Sequence, residues 1–555
     1  MPLTAVAVLG AMFWLATGPQ PTRHGSDTAA GASGAVASTS AADGPGPAPG
    51  SDVSLGVGTH PSSTPIAFTG PVDAEPAALA AFYGRPVAWS SCTDDGRFDC
   101  GSVRVPVDYG KPTGATTSIA LRRLPAADPA RRIGSLFINP GGPGGSGLDF
   151  ASDAPDFFSD AVRDRYDVVG FDPRGMGESD AVDCLTDADL DVMYGADPTP
   201  ETAAERRVRQ QGPAQRNARC LARGGALAAN MGTEAVARDL DVLRSAVGDE
   251  RLNYYGISYG TMIGAVYADF FTSRVGYMVL DSAVLPDALA EQTPTQDQVD
   301  DAARSSASDF DQMVDDFVTD CGSSVDCPLG ADTGVVSDRL VRFLDRLDST
   351  PLPTDIPSLP RLTEGWAVTA LGFGLREHDS WPDLVDALDR AMTDGDGTDL
   401  ARFAMGFVER DKDGSYASAT FSRSHLLVTC ADWPVSPWDS AVPSRSVLAN
   451  HPLWARVEPP APAQCAGWTG QQRRTLLVGA DVATPVLVIG NDVDHVTPIE
   501  DTEALAGEIV RSRFVRVDAE GHGAYDSGND CAARVVDEYL TEAKAPEDDY
   551  YCTAS

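Results

Sequence analysis

From about residue 85 onward, apolar residues fall into short runs separated by longer stretches that repeat every three to four positions, the texture of alternating β and α elements. "VRVPVDY" (103–109) and "SIALRRL" (118–124) alternate like a strand pair, and "GSLFINP" (134–140) is an unbroken apolar run entering a Gly-rich loop. "YDVVGFDPRG" (166–175), "RLNYYGIS" (251–258), "GYMVLDSAV" (276–284), "TPVLVIGND" (484–492) and "RFVRVDAEGHG" (513–523) predict further strands. Helical periodicity lies between them, as in "TEAVARDLDVLRSAV" (233–247) and "TMIGAVYADFF" (261–271). Short apolar strands alternating with helices imply an α/β fold with a mostly parallel sheet covered on both faces. Ligands of such sheets sit at the carboxyl ends of the strands.

The rhythm stops between Pro286 and about Gln471, where acidic amphipathic stretches such as "VSDRLVRFLDRL" (336–347) and "LVDALDRAMTDG" (384–395) take over. The expected organisation is therefore a core in two parts, 76–285 and 472–555, interrupted by a mainly helical lid, 286–471. Ahead of the core, residues 1–17 form a candidate signal peptide around the apolar run 3–16, which no Lys or Arg precedes and which is too short to span a bilayer comfortably. Residues 18–75, rich in Gly, Ala, Ser and Pro, are expected to lack order, with "AVAST" (35–39) offering a cleavage site.

Charge narrows the partners. With 81 acidic against 42 basic residues, the net charge of −39 repels phosphate backbones and anionic lipid, which argues against nucleic acid as a partner; no stable membrane span is expected, since the apolar run 3–16 is short. Ten cysteines point to an oxidising, extracytoplasmic setting, and they fall into five sequence-neighbour pairs, although sequence does not fix their connectivity. No C-x-x-C occurs and the histidines are dispersed, so no metal is expected.

Candidate chemistry centres on "YYGISYGTM" (254–262), where Ser258 stands between Gly256 and Gly260 at a strand-to-helix turn. The pattern alone is weak, since about 0.4 G-x-S-x-G matches are expected by chance in a chain this rich in glycine. A serine hydroxyl needs a base, and "EGHGAY" supplies His522 just after the last predicted strand. "NDVDHVTP" supplies Asp494 past the strand before it, giving the order Ser, Asp, His of an α/β-hydrolase triad. "NPGGPGGSG" (139–147) is suited to one oxyanion donor, best placed at Gly142, and Tyr259 after the nucleophile to the other. The loop lacks the Lys and Ser/Thr placement of a P-loop, and no cofactor motif survives inspection: "GFGLRE" (372–377) has neither the spacing nor the strand context of a dinucleotide site. "DPRGMGES" (172–179) reads as structural, with Arg174 and Ser179 bracing its loop.

Together "NPGGPGGSG", "YDVVGFDPRGMGESD", "YYGISYGTM", "GNDVDHVTP" and "AEGHG" resemble the secreted tripeptidyl-aminopeptidase branch of the α/β-hydrolase superfamily, related to proline iminopeptidases, from about Ala88 to Cys552. The resemblance implies a serine exopeptidase releasing short peptides, tripeptides among them, from free amino termini. It makes Ser258 the nucleophile, His522 the general base and acid, and Asp494 its orienting carboxylate. Asp492 offers a second carboxylate, but the D-x-V-T-P spacing matches Asp494, and His495 stands where the family usually has Pro. An aminopeptidase must also hold an ammonium group, for which Asp432 and Glu377 are candidates. The rival readings are a carboxylesterase or lipase on the same triad and an inactive binding protein on the same scaffold; Ser258 argues against epoxide or haloalkane hydrolysis, which wants Asp at that position.

Overall fold

The structure is a computed structural model that describes residues 55–554, apart from 69, 94–95, 286–292, 324–326, 418, 434, 459–463 and 471–480. The apolar run 3–16, the "AVAST" site and the expected lid boundaries at Pro286 and Gln471 lie outside the described residues.

Eight strands build the sheet that carries the site: β1 (Asp99–Pro106), β2 (Thr116–Leu124), β3 (Gly134–Asn139), β4 (Tyr166–Phe171), β5 (Leu252–Ser258), β6 (Val275–Ala283), β7 (Val486–Val493) and β8 (Ser512–Glu520). Their order across the sheet is β1, β2, β4, β3, β5, β6, β7, β8. β1, β2 and β4 pair antiparallel; from β4 through β8 all neighbours are parallel. Each of the eight strands expected from periodicity is present, and every residue of β3, β4 and β5 is buried. Because successive side chains alternate in direction, Phe137 and Tyr254 join one apolar core, while Leu136, Ile138 and Tyr255 join a second on the opposite face. The fold is thus a large mostly parallel sheet with helices on both faces.

Helix α1 (Gly147–Phe157) follows β3, α2 (Thr233–Val247) leads into β5, and α3 (Tyr259–Phe270) follows it. The helical layer draws on two stretches of chain. One lies between β6 and β7, and includes helices Gln296–Ser323, Thr333–Ser349, Glu364–Gly374, Trp381–Asp389 and Phe421–Asp432. The other follows β4: helices Asp187–Tyr194 and Ala203–Ala228, counted as core from the sequence, join it through Arg410 on Asp191 (2.7 Å) and Asn217 on the Gln464 carbonyl (2.8 Å). All ten cysteines are paired, as Cys92–Cys100, Cys184–Cys220, Cys321–Cys327, Cys430–Cys465 and Cys531–Cys552. No described helix is long and apolar enough to cross a membrane.

The expected lack of order over residues 18–75 is corrected for residues 55–68 and 70–75. Gly56–Gly58 adds a parallel strand beside Tyr550–Cys552, extending the sheet beyond β8, and Ser63–Pro65 pairs antiparallel with Lys544–Pro546. Phe68 packs edge-on to Tyr277 at 5.6 Å, under the Arg251 guanidinium at 4.8 Å. A composition poor in apolar side chains still carries a full set of backbone donors and acceptors, and an open sheet edge satisfies them.

Candidate active site

Ser258 ends β5 and stands immediately before α3 with φ +56° and ψ −127°, a conformation a serine holds only where the surroundings enforce it. The turn is tight enough that a Cβ on Gly256 would come within 2.6 Å of the Gly260 carbonyl, and one on Gly260 within 2.8 Å of the Asn139 carbonyl. Both glycines are therefore sterically required. The Thr261 hydroxyl donates to the Ser258 carbonyl at 2.6 Å and pins the turn from the helix side. Ser258 is buried, and its Oγ has no hydrogen-bond partner among the described residues.

His522 lies two residues past β8. Its Nδ1 stands 2.9 Å from Oδ2 and 3.2 Å from Oδ1 of Asp494, so the Nδ1–H donates and Nε2 is left with a lone pair. Asp494 Oδ1 accepts the N–H groups of Val496 (2.8 Å) and Thr497 (2.9 Å), and Oδ2 accepts the Thr497 hydroxyl (2.9 Å). Burial opposes charge on Asp494, but His522 and these donors outweigh it and hold the carboxyl below its ordinary range. Burial likewise opposes charge on His522; Asp494, and after it Glu377 and Asp281, outweigh it and raise the imidazole above its ordinary value. His522 Nε2, like Ser258 Oγ, is shielded and without a partner among the described residues. Asp492 is committed elsewhere, to Arg516 and to the Tyr551 hydroxyl at 2.6 Å. His495 Nε2 lies 3.5 Å from Asp316, and its ring stacks on Trp381 at 6.3 Å.

The loop after β3 runs against the elbow: a Cβ on Gly141 would lie 2.6 Å from the Ile257 carbonyl and 2.8 Å from the Ser258 Cβ. The Gly141 N–H is taken by Asn139 Oδ1 at 3.0 Å. The Gly142 N–H makes no hydrogen bond within the loop, and the Tyr259 N–H, at the first position of α3, has no acceptor within its helix. Both are candidates to receive an oxyanion beside Ser258. Arg174 is fully buried, donating to Asp239 at 2.7 Å and to the Val107 and Pro106 carbonyls at 2.7 and 3.0 Å; the Ser179 hydroxyl donates to the Asp172 carbonyl at 2.6 Å. The "DPRGMGES" loop is braced by these two side chains.

The two carboxylates considered for an ammonium group part company. Asp432, at the end of the Phe421–Asp432 helix, accepts the Thr233 N–H (2.8 Å), the Thr233 hydroxyl (2.7 Å) and the Tyr259 hydroxyl (3.1 Å). It sits beneath the elbow with its oxygens occupied, which corrects its candidacy as an amine receptor. Glu377, beyond the Glu364–Gly374 helix, has an Oε1 that is shielded from solvent and has no partner among the described residues. Burial pushes its carboxyl up to about 7, against the pull of His522 and with the push of Asp494 and Asp379, so it lies within electrostatic reach of the triad.

Three residues not singled out in the sequence hold the His522 loop. Asp281, at the end of β6, accepts the N–H groups of Ala524 (2.7 Å) and Tyr525 (3.0 Å); the Ser282 hydroxyl accepts the Gly523 N–H (3.0 Å); Asn491 donates to the Gly521 carbonyl (2.8 Å). A polar pair in "LDSAV", at the carboxyl end of a predicted strand, is the signal that could have found the first two. Among the described residues, two carboxylate clusters around Asp197 have atoms close enough for a cation, but Glu364 in one of them is already paired with Arg456.

A strand-ending serine and a carboxylate-held imidazole are parts that a serine hydrolase uses for acyl transfer. The chain belongs to the α/β-hydrolase fold family, whose pattern it matches over residues 134–528. It is 31% identical to the serine protease Hip1 of Mycobacterium tuberculosis over 497 residues, covering 84% of this chain and 91% of that one. It is 30% identical over 503 residues to the tripeptidyl aminopeptidase of Streptomyces lividans, covering 86% and 88%. A Mycobacterium tuberculosis carboxylesterase B is 31% identical over 494 residues, covering 84% and 91%.

Proposed function

We propose that this enzyme is an extracytoplasmic serine exopeptidase that releases short peptides, tripeptides among them, from free amino termini. Ser258 Oγ attacks the scissile carbonyl carbon as His522 Nε2 takes its proton, and Asp494 stabilises the imidazolium that forms. The carbonyl oxygen, now anionic, is held by the N–H groups of Gly142 and Tyr259. His522 returns the proton to the departing amine, and water releases the acylated fragment from Ser258 by the same steps in reverse roles. The observation that carries the peptidase reading is Glu377: a shielded carboxylate oxygen without a partner, in the field of the triad, suits the ammonium of a substrate amino terminus. The relatives named serine protease and tripeptidyl aminopeptidase support it, and the five disulfides support an oxidising compartment.

The test uses a tripeptide anilide with a free amine, its N-acetylated twin and a short-chain acyl ester. Turnover of the free-amine peptide, with the acetylated twin inert, is expected. Cleavage of the ester alone would move the assignment to the carboxylesterase reading, and failure of Ser258 to react with an organophosphorus probe would move it to a binding protein.

A further inference from the structure

The helix Phe421–Asp432 belongs to the helical layer, yet both of its ends reach into the site. Near its start, His425 is buried, with Nδ1 2.8 Å from the Pro143 carbonyl and Nε2 2.9 Å from the Thr429 hydroxyl. The carbonyl requires the Nδ1–H to donate, so Nε2 accepts from Thr429. Burial, against the pull of the Pro143 carbonyl, lowers this imidazole to about 4, so it stays neutral and the pair of bonds persists across the neutral range. Backbone touches backbone one residue on: a Cβ on Gly144 would fall 2.9 Å from the Phe421 Cα and 3.2 Å from its carbonyl oxygen. At the helix's other end Asp432 accepts the Tyr259 hydroxyl at 3.1 Å and the Thr233 N–H and hydroxyl at 2.8 and 2.7 Å. Pro143 follows Gly142, and Tyr259 itself carries the second candidate oxyanion donor.

We propose that this helix is the brace of the oxyanion hole, with His425 and Asp432 as positioning residues: His425 fixes the Gly142 donor through the Pro143 carbonyl, and Asp432 fixes the Tyr259 donor through its phenol. This rests on the reading of Ser258 as nucleophile. Two N–H groups from different loops must converge on one oxygen that carries charge only in the transition state, so a shift in either costs rate before it costs binding. A single helix that grips both loops sets their separation by its own length, seven residues from His425 to Asp432, about 10 Å of rise.

The experiment compares Tyr259→Phe, Asp432→Asn, His425→Leu and His425→Asn with the wild type, using kcat and KM, the affinity of a peptide boronate and the affinity of the product peptide. The boronate forms a tetrahedral adduct on serine and places an oxygen in the hole, whereas the product peptide measured, the fragment that departs as the amine, places none there. Tyr259→Phe removes one hydroxyl and keeps the ring, so it preserves the fold if Asp432→Asn does not. His425→Leu, Asp432→Asn and Tyr259→Phe are expected to lower kcat and boronate affinity together by about 10- to 100-fold, with KM and product affinity within about twofold. His425→Asn, whose amide can donate from the Nδ1 position, is expected to recover most of that loss. Unchanged kcat and boronate affinity in the folded variants, or product affinity falling in parallel with boronate affinity, would overturn the brace. Failure of a fluorophosphonate to label Ser258 in the wild type would overturn the nucleophile reading itself, and is read separately from the variants.

Discussion

Asp281 accepts the backbone N–H of Tyr525 at 3.0 Å and that of Ala524 at 2.7 Å, so the end of β6 holds the loop that carries His522. Asp281→Asn keeps the volume but presents an NH2 group where two N–H donors need acceptors. The loop shifts, and kcat should fall by about 10- to 100-fold, because small displacements of a base are costly. Asp281 also helps raise the His522 imidazole, so the acid limb of ester hydrolysis should move to lower pH in this variant. A pH–rate profile on a short-chain ester checks both effects.

Ser258→Ala and His522→Ala should each reduce kcat by about 10⁴-fold or more, since members of such a unit fail nearly as completely alone as together. Circular dichroism should show the fold retained. Substantial turnover in either variant would remove the triad assignment.

Glu377 gives a pH prediction with a definite sign. Its carboxyl is pushed up to about 7, so it is anionic above and neutral below, and KM for free-amine peptides should rise as pH falls through that value. Glu377→Gln should lower kcat/KM for those peptides by about 30-fold or more, the cost of unpairing a shielded ammonium. Because the Glu377 charge also raises His522, the same variant should shift the acid limb of ester hydrolysis to lower pH while leaving ester turnover at pH 8 nearly intact. Steady-state kinetics with matched peptide and ester substrates separate these outcomes.

The Arg174–Asp239 pair predicts a stability effect without a part in the chemistry. Both side chains are buried, and Asp239→Asn would leave the guanidinium charge shielded and unbalanced. About 3–5 kcal/mol of stability should be lost. Denaturant unfolding measures it; a change under 1 kcal/mol would mean that water reaches Arg174.

The Cys430–Cys465 bond, anchored in the brace helix at Cys430, closes a loop of 35 residues. Replacing both cysteines with serine should cost about 4 kcal/mol on chain-entropy grounds. Since Asp432 lies two residues from Cys430, kcat should fall as well, and thermal unfolding with parallel kinetics tests both.

The central strands β3, β4 and β5 were legible because each is a short apolar run buried on both faces, and β1 and β2 because they alternate, since periodicity reports burial. The order of Ser258, Asp494 and His522 was legible because each follows a predicted strand end. Residues 56–66 were not, since their order comes from backbone pairing with 543–552, which side-chain composition does not record. The roles of Asp281, His425 and Asp432 are hidden for a related reason: their partners Ala524, Pro143 and Tyr259 lie between 173 and 282 positions away, and the one local mark is the polar pair in "LDSAV" that includes Asp281. Asp432 was noticed for its charge and given the wrong role, because sequence does not tell an occupied carboxylate from a vacant one.

The pairing of Gly56–Gly58 with Tyr550–Cys552 joins nearly the first described residues to nearly the last. A ribosome delivers the first of these strands long before the second, so this seam cannot close until nearly all of the described chain has been made. It is the contact of greatest sequence separation in the sheet, and the one whose formation waits longest on synthesis. Cys531–Cys552 ties the later strand to the Asp530–Glu542 helix, so this disulfide secures the strand on which Gly56–Gly58 pairs.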